Sequence, residues 1–100
     1  LDGVEVTDLD SQARQQFDIP PRIRGALVTK VDEDSNAAEA GLRPGDVIVE
    51  INRRPVKNAE EAVDVAGTAK GDRILVRVYS QSGGSGSSRY LSVETTKKKK

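Results

Sequence analysis

The sequence predicts a single α+β domain in which five or six short strands curl into a partly open barrel beside two main helices. Apolar residues alternate with polar ones in several separate stretches, and helix-capping residues precede runs of helical spacing. The chain has 100 residues, enough for one modest core. It contains one Phe and no Trp, Cys or Met, so Val, Ile, Leu and Ala must build that core.

The amino-terminal part of the chain predicts a strand followed by a short helix. Val4 to Thr7 alternates apolar and polar residues, as a half-buried strand does. Either Asp10 or Ser11 is suited to cap a helix that runs to Phe17. The segment Ile19-Pro20-Pro21 ends this helix, because proline cannot continue one.

The middle of the chain carries the clearest local signals. Ser35 has a hydroxyl that can accept an unpaired backbone N–H at a helix start, and Gly41 suits the left-handed residue at the helix end. Pro44-Gly45-Asp46 is typical of a tight turn. The predicted elements are a strand at Ala26–Val31, a helix at Asn36–Ala40, a strand at Val47–Ile51 and a very short strand within 53–56.

The carboxyl-terminal part predicts a third helix and a final pair of strands. Asn58 is the expected N-cap, and Glu60 and Glu61 lie in the first turn, where the helix dipole favours negative charge. The predicted elements are a helix from Asn58 to about Ala69, a strand at Ile74–Tyr79, a mobile Ser/Gly-rich loop at Ser80–Ser88 and a strand at Arg89–Thr95.

Composition excludes several classes of function. Lys97 to Lys100 supply four of the sixteen basic residues, so residues 1–96 are mildly acidic and do not suit nucleic acid. No apolar run approaches the ~20 residues that span a bilayer. With neither His nor Cys, the chain lacks a serine triad, a thiol nucleophile and a zinc-ligand set. We therefore expect a module that is not an enzyme and that has no metal or cofactor.

The stretch Ala38 to Asn52 resembles the most recognisable segment of PDZ domains, "A-x-x-A-G-L-x-x-G-D-x-I-x-x-I/V-N". The segment Gly3 to Ile19 further resembles an insertion of the PDZ domains in HtrA/Deg (DegP/DegQ-like) trypsin-like serine proteases, where it precedes a sequence matched here by Gly25-Ala26-Leu27-Val28. The resemblance covers residues 1–95 and implies an antiparallel barrel or sandwich. It also implies the circularly permuted strand order of bacterial PDZ domains, with the outer strand, Arg89 to Glu94, last.

The resemblance implies a peptide-binding groove. Leu1-Asp2-Gly3-Val4 matches the loop that holds a carboxylate, although Asp2 stands where an apolar residue is usual and would repel that group. The strand Val4-Glu5-Val6-Thr7 would present an edge, with Val4 and Val6 facing the groove. The opposing helix face is expected to carry Ala59, Val63 and Ala66, and Ala59 replaces the His that selects Ser or Thr in some PDZ domains.

The implied function is binding of extended peptides or unfolded protein with apolar ends, C-terminal or internal, in a periplasmic HtrA-like protease. Asp2 suggests the second PDZ domain of such a protein, of which we take this chain to be a fragment. Substrate delivery or protease assembly would be regulated through the adjacent protease domain or subunits. Two alternatives stay open: a PDZ that only packs against its own protein, and a PDZ of another bacterial protease or secretion system. Residues 96–100 are expected to be a disordered tail.

Overall fold

The computed structural model describes residues 3–68, 71, 73–82 and 85–94. The strands are β1 (Val4–Asp8), β2 (Ala26–Val31), β3 (Val47–Ile51), β4 (Arg54–Pro55), β5 (Arg73–Ser82) and β6 (Ser85–Glu94). The helices are α1 (Ser11–Phe17), α2 (Asn36–Ala40) and α3 (Ala59–Thr68). The predicted α+β class is confirmed. The expected tail at 96–100 lies outside the described residues.

All strand pairs in the sheet are antiparallel. The strands follow the order β1-β2-β3-β5-β6, and β4 pairs with β3. The first and last strands of the chain therefore lie at opposite ends of this order, so the outer strand comes last, as the permuted arrangement requires. The β1–β2 register shifts between Glu5 and Val6, which leaves Thr29 as an extra residue on β2.

Apolar side chains pack on both faces of the sheet. On β2, Ala26 and Val28 belong to the main core and Leu27 to a second one, because successive side chains point to opposite faces. The main core also includes residues of α2 and α3, whereas the second core is covered by α1 through Ala13 and Phe17. Each fully buried Leu, Ile or Val stabilises the fold by roughly 1.5–3 kcal/mol relative to exposure.

The predicted helix caps are confirmed. Asp10, rather than Ser11, caps α1 by accepting the N–H of Ala13, with 2.8 Å between nitrogen and oxygen. At α2, Ser35 is the N-cap and Gly41 ends the helix with a φ of 108°. These short elements begin and end where side-chain acceptors and a left-handed residue replace the missing backbone partners.

The prediction of a loop at Ser80–Ser88 is wrong. Strands β5 and β6 continue through most of it and pair in one unbroken register up to Ser82 and Ser85. Only Gly83 and Gly84, which lie outside the described residues, separate them. Residues 86–90 are exposed, so this part of the hairpin has no apolar face that alternation could reveal. Main-chain hydrogen bonds suffice for strand pairing there.

A buried carboxylate connects the turn before β3 to the β5–β6 hairpin. Asp46 is 6% exposed and accepts the hydroxyl of Ser80 at 2.7 Å and the N–H of Arg43 at 3.1 Å. Arg89 lies 3.7 Å from the same carboxylate and donates to the carbonyl of Gly41. No helix among the described residues is long and apolar enough to cross a membrane.

Candidate peptide-binding groove

Strand β1 presents main-chain groups at the end of the sheet. The carbonyl of Gly3 accepts the N–H of Asp32 at 2.8 Å, and the carbonyl of Glu5 accepts the hydroxyl of Thr29 at 3.2 Å, so both face β2. Because main-chain groups alternate sides along a strand, those of Val4 and Val6 face away from β2. In the described part of the chain, no other strand pairs with this edge.

Helix α3 forms a wall beside this edge. Ala59 and Ala66 are partly buried against the main core, as are Val4 and Val6. Val63 lies on the same helix side but is 62% exposed, so it is not a core residue. The structure thus brings five of the predicted residues to one strand and one helix face, with Val63 on the solvent side. An apolar side chain this exposed next to an unpaired strand edge is suited to contact an added segment.

Gly3 shapes the start of the groove. Its φ is +80°, and a Cβ built on it would lie 2.8 Å from the Cβ of Ser35. Only glycine fits this position without a shift of the main chain. The predicted loop residues Leu1 and Asp2 lie outside the described residues. Glu5 has an exposed side chain on the face opposite Val4 and Val6, and its main chain is directed at β2.

Asp8 closes the far end of the groove. Its Oδ1 accepts the N–H of Ala59 at 2.9 Å, which joins the end of β1 to the start of α3. Asn58 accepts the N–H of Glu61 at 2.8 Å, and Glu61 in turn accepts the N–H of Lys57, so the helix start is held by three side-chain acceptors. These bonds fix the direction of α3 relative to β1.

Sequence reasoning missed Asp8. One signal was present, because Asp8 follows Val4 and Val6 at the two-residue spacing that puts all three on one face. Its partner Ala59 is 51 positions away, so the contact leaves no local pattern.

Acidic side chains lie beside the groove. Among the described residues, no three carboxylates are grouped closely enough to hold a metal ion. On α3 the exposed acids Glu60 and Asp64 lie beside the Val63 flank, so the groove has apolar walls and an acidic border.

A family model described as "PDZ domain" matches residues 27–79, which run from the second residue of β2 through α2, β3, β4 and α3 into β5. Among curated proteins, the chain is similar to a "Probable periplasmic serine endoprotease DegP-like" of Chlamydia muridarum (strain MoPn / Nigg). The two are 36% identical over 76 residues, which is 76% of this chain and 15% of that protein.

Solved structures of HtrA-type proteases have the same fold. One is described as the HtrA-type protease AlgW with a tripeptide: it is 30% identical, has a TM-score of 0.65, and the match covers 92% of this chain and 29% of that one. Another, a variant of AlgW with a decapeptide, is 26% identical with a TM-score of 0.73, over 92% of this chain and 27% of that one. The chain thus spans less than a third of each of these proteins.

Proposed function

Since the chain belongs to the PDZ domain family and is of its HtrA/DegP type, we propose that it binds extended peptides in the groove between β1 and α3. The peptide adds as a further strand to the free edge of β1 and directs an apolar side chain toward Val63 and Ala66. This mode of recognition takes its affinity from main-chain hydrogen bonds and its selectivity from side-chain pockets.

Two observations support the proposal: no strand of the described chain pairs with the outer edge of β1, and α3, which the Asp8–Ala59 hydrogen bond joins to β1, exposes the side chain of Val63. An unpaired edge alone favours unspecific pairing, and an exposed valine alone is unremarkable. Together they offer main-chain hydrogen bonds and an apolar contact to one added strand. The structures of AlgW with a decapeptide and with a tripeptide, at 26% and 30% identity, support peptide binding by this fold.

For the whole protein, we propose a periplasmic HtrA-like serine endoprotease in which this domain regulates substrate delivery or assembly. The support is the similarity to proteins named as DegP-like periplasmic serine endoproteases. In three of them the match covers 15–16% of the relative's length. Partners would be unfolded proteins with apolar ends and the adjacent protease domain or subunits. The same names make a PDZ of another bacterial protease or of a secretion system the weaker alternative.

A second candidate is a PDZ domain that only packs against its own protein. It is favoured by the same exposed valine, because another domain could cover Val63 and pair with β1. Asp2, which would repel a peptide carboxylate, also fits this role. In that case the isolated chain would have an open groove but no affinity for free peptides.

Titration of the isotope-labelled chain with peptides that have apolar C-termini separates the two candidates. If the groove binds peptide, the amide signals of residues 3–6 and 59–66 move together and saturate with one dissociation constant. A varied peptide library that leaves these signals in place supports the packing role. Amidated copies of the peptides report on Asp2: we expect little loss of affinity on amidation, because Asp2 offsets the attraction for a free carboxylate.

Val63→Asp tests the site itself, with Tyr90→Asp as the matched control. Val63 and Tyr90 are the large apolar residues exposed in the described part of the chain, at 62% and 51%, and Tyr90 is on β6 beneath Arg77. Val63→Asp places a charge in the groove and should weaken peptide binding at least about tenfold, or ~1.4 kcal/mol. Tyr90→Asp should leave it unchanged. Equal effects of the two variants would place the site elsewhere.

A further inference from the structure

The groove changes character along its length. Val4, Val6 and Asp8 share one face of β1, because side chains alternate along a strand. From Val4 to Asp8 the strand rises roughly 13 Å at about 3.3 Å per residue. The groove face is therefore apolar where the peptide end would lie and carries an exposed carboxylate one short peptide length away.

The carboxylate of Asp8 is held in place with one oxygen to spare. Its Oδ1 accepts the N–H of Ala59 at 2.9 Å. Within the residues that the structure describes, Oδ2 has no donor. A carboxylate already held by the first N–H of a helix loses little conformational entropy when a ligand donates a second hydrogen bond to it. It therefore binds such a ligand more strongly than a freely rotating carboxylate would.

Two further acidic residues add to the negative charge near Asp8. Glu60 and Asp64 are exposed on the flank of α3 next to Val63, and neither has an ion pair in the described part of the chain. Ala59, at the end of the helix that meets Asp8, carries no charge of its own. The exposed Lys57 at the same helix start opposes this attraction, but three acids outnumber it, so a positively charged ligand group would meet net attraction at this end.

We propose that Asp8 makes the groove selective for peptides with a lysine or arginine upstream of their apolar end. In an antiparallel added strand, if the last peptide residue lies opposite Val4, the third from last lies opposite Val6 and the fifth from last opposite Asp8. The basic residue is thus the fifth from last, and one at the third reaches Asp8 diagonally. This specificity rests on the proposed peptide binding at β1.

Three peptides that differ at one position test the proposal. All end in valine with an apolar residue third from last, and they carry Lys, Gln or Glu as the fifth from last. Fluorescence anisotropy at low and high ionic strength gives each affinity for the full chain. At low ionic strength we expect the Lys peptide to bind about three- to tenfold more tightly than the Glu peptide, since an exposed charge pair contributes modestly. High salt should reduce this ratio.

Asp8→Asn removes the charge but keeps an oxygen that accepts the N–H of Ala59. Asp18→Asn is the matched control, since Asp18 ends α1 on the other face of the sheet with a φ of 59° that asparagine tolerates. We expect most of the Lys-to-Glu ratio to be lost in Asp8→Asn, with a small remainder from Glu60 and Asp64, and the full ratio to persist in Asp18→Asn. The Gln peptide should bind wild type and Asp8→Asn equally well.

The outcomes separate this inference from the proposed function. If the Gln peptide binds and the three peptides do not differ, or if Asp8→Asn keeps the full Lys preference of the wild type, selectivity through Asp8 is overturned while peptide binding stands. If none of the peptides binds the wild-type chain, both proposals fail together.

Discussion

The side chain of Asp46 illustrates how one residue connects three parts of the molecule. It was predicted as a turn residue after Pro44-Gly45, and it does hold that turn through the N–H of Arg43. Its contacts with Ser80 and Arg89 are more than thirty positions away and could not be predicted from local pattern. Because the carboxylate is buried, these long-range donors are what make its burial tolerable.

Gly3 is the residue for which backbone geometry makes the sharpest prediction. Gly3→Ala should lower the free energy of unfolding by about 2 kcal/mol, because a left-handed φ costs an alanine ~1–2 kcal/mol and its Cβ would press on Ser35. Denaturant titration measures the change. It should also weaken peptide binding, since this residue sets the start of β1.

Gly67→Ala is the control for this substitution. Gly67 lies in α3, and a Cβ there would have nothing within 4 Å, so alanine should stabilise the helix by roughly 0.5–1 kcal/mol. The two Gly→Ala changes should therefore have opposite signs. If Gly3→Ala were as stable as wild type, and the amide of Asp32 remained protected from exchange, the strain argued at Gly3 would be absent.

At the scale of elements, the bounds of strands and helices were predicted best where they depend on residues close together in the sequence. Strands β2 and β3 and helix α2 have the predicted bounds, because caps, turns and alternation are all encoded within a few residues. The β5–β6 hairpin is longer than predicted, since residues 86–90 of β6 are all exposed and give no periodic signal. The groove-facing residues followed from resemblance, whereas Asp8 required the fold itself.

Helix α1 tests the independence of the two faces of the sheet. Phe17 packs, partly buried, on the second core with Leu27 and Tyr79, on the face opposite the main core. Phe17→Ala should lower the free energy of unfolding by about 2 kcal/mol, less than the ~3–5 of a fully buried phenylalanine. Peptide affinity should be unchanged, because the groove depends on Val4, Val6 and α3.

Gln16→Ala provides the control within the same helix. Gln16 is exposed, so this change should stay within about 0.5 kcal/mol of wild type. Unfolding curves and peptide affinities of both variants can be compared directly. A large loss of peptide affinity in Phe17→Ala, at temperatures where it is folded, would show that the second core positions β1 and would contradict independent faces.

For the molecule as a whole, the two ends of the described chain meet at the start of α2. A Cβ on Gly3 would lie 2.8 Å from Ser35, and the side-chain nitrogen of Asn36 donates to the carbonyl of Glu94 at 3.1 Å. Strands β1 and β6, although at opposite ends of the sheet order, thus converge on neighbouring residues. The sheet therefore does not require the strands to follow one another along the chain in their present order. Other connections between the same strands are compatible with it.

A circular permutant tests this conclusion. Joining Glu94 to Leu1 through a five-residue Gly/Ser linker, which reaches roughly 16 Å, and opening the chain between Gly83 and Gly84 makes β6 the first strand. We expect the same amide spectrum and peptide affinity, because every pairing is kept. Refolding should slow on the order of tenfold, since the β5–β6 ladder changes from the most local pairing to the most distant. Stopped-flow refolding measures this; a permutant that stays unfolded would show that the hairpin connection itself is needed for the fold.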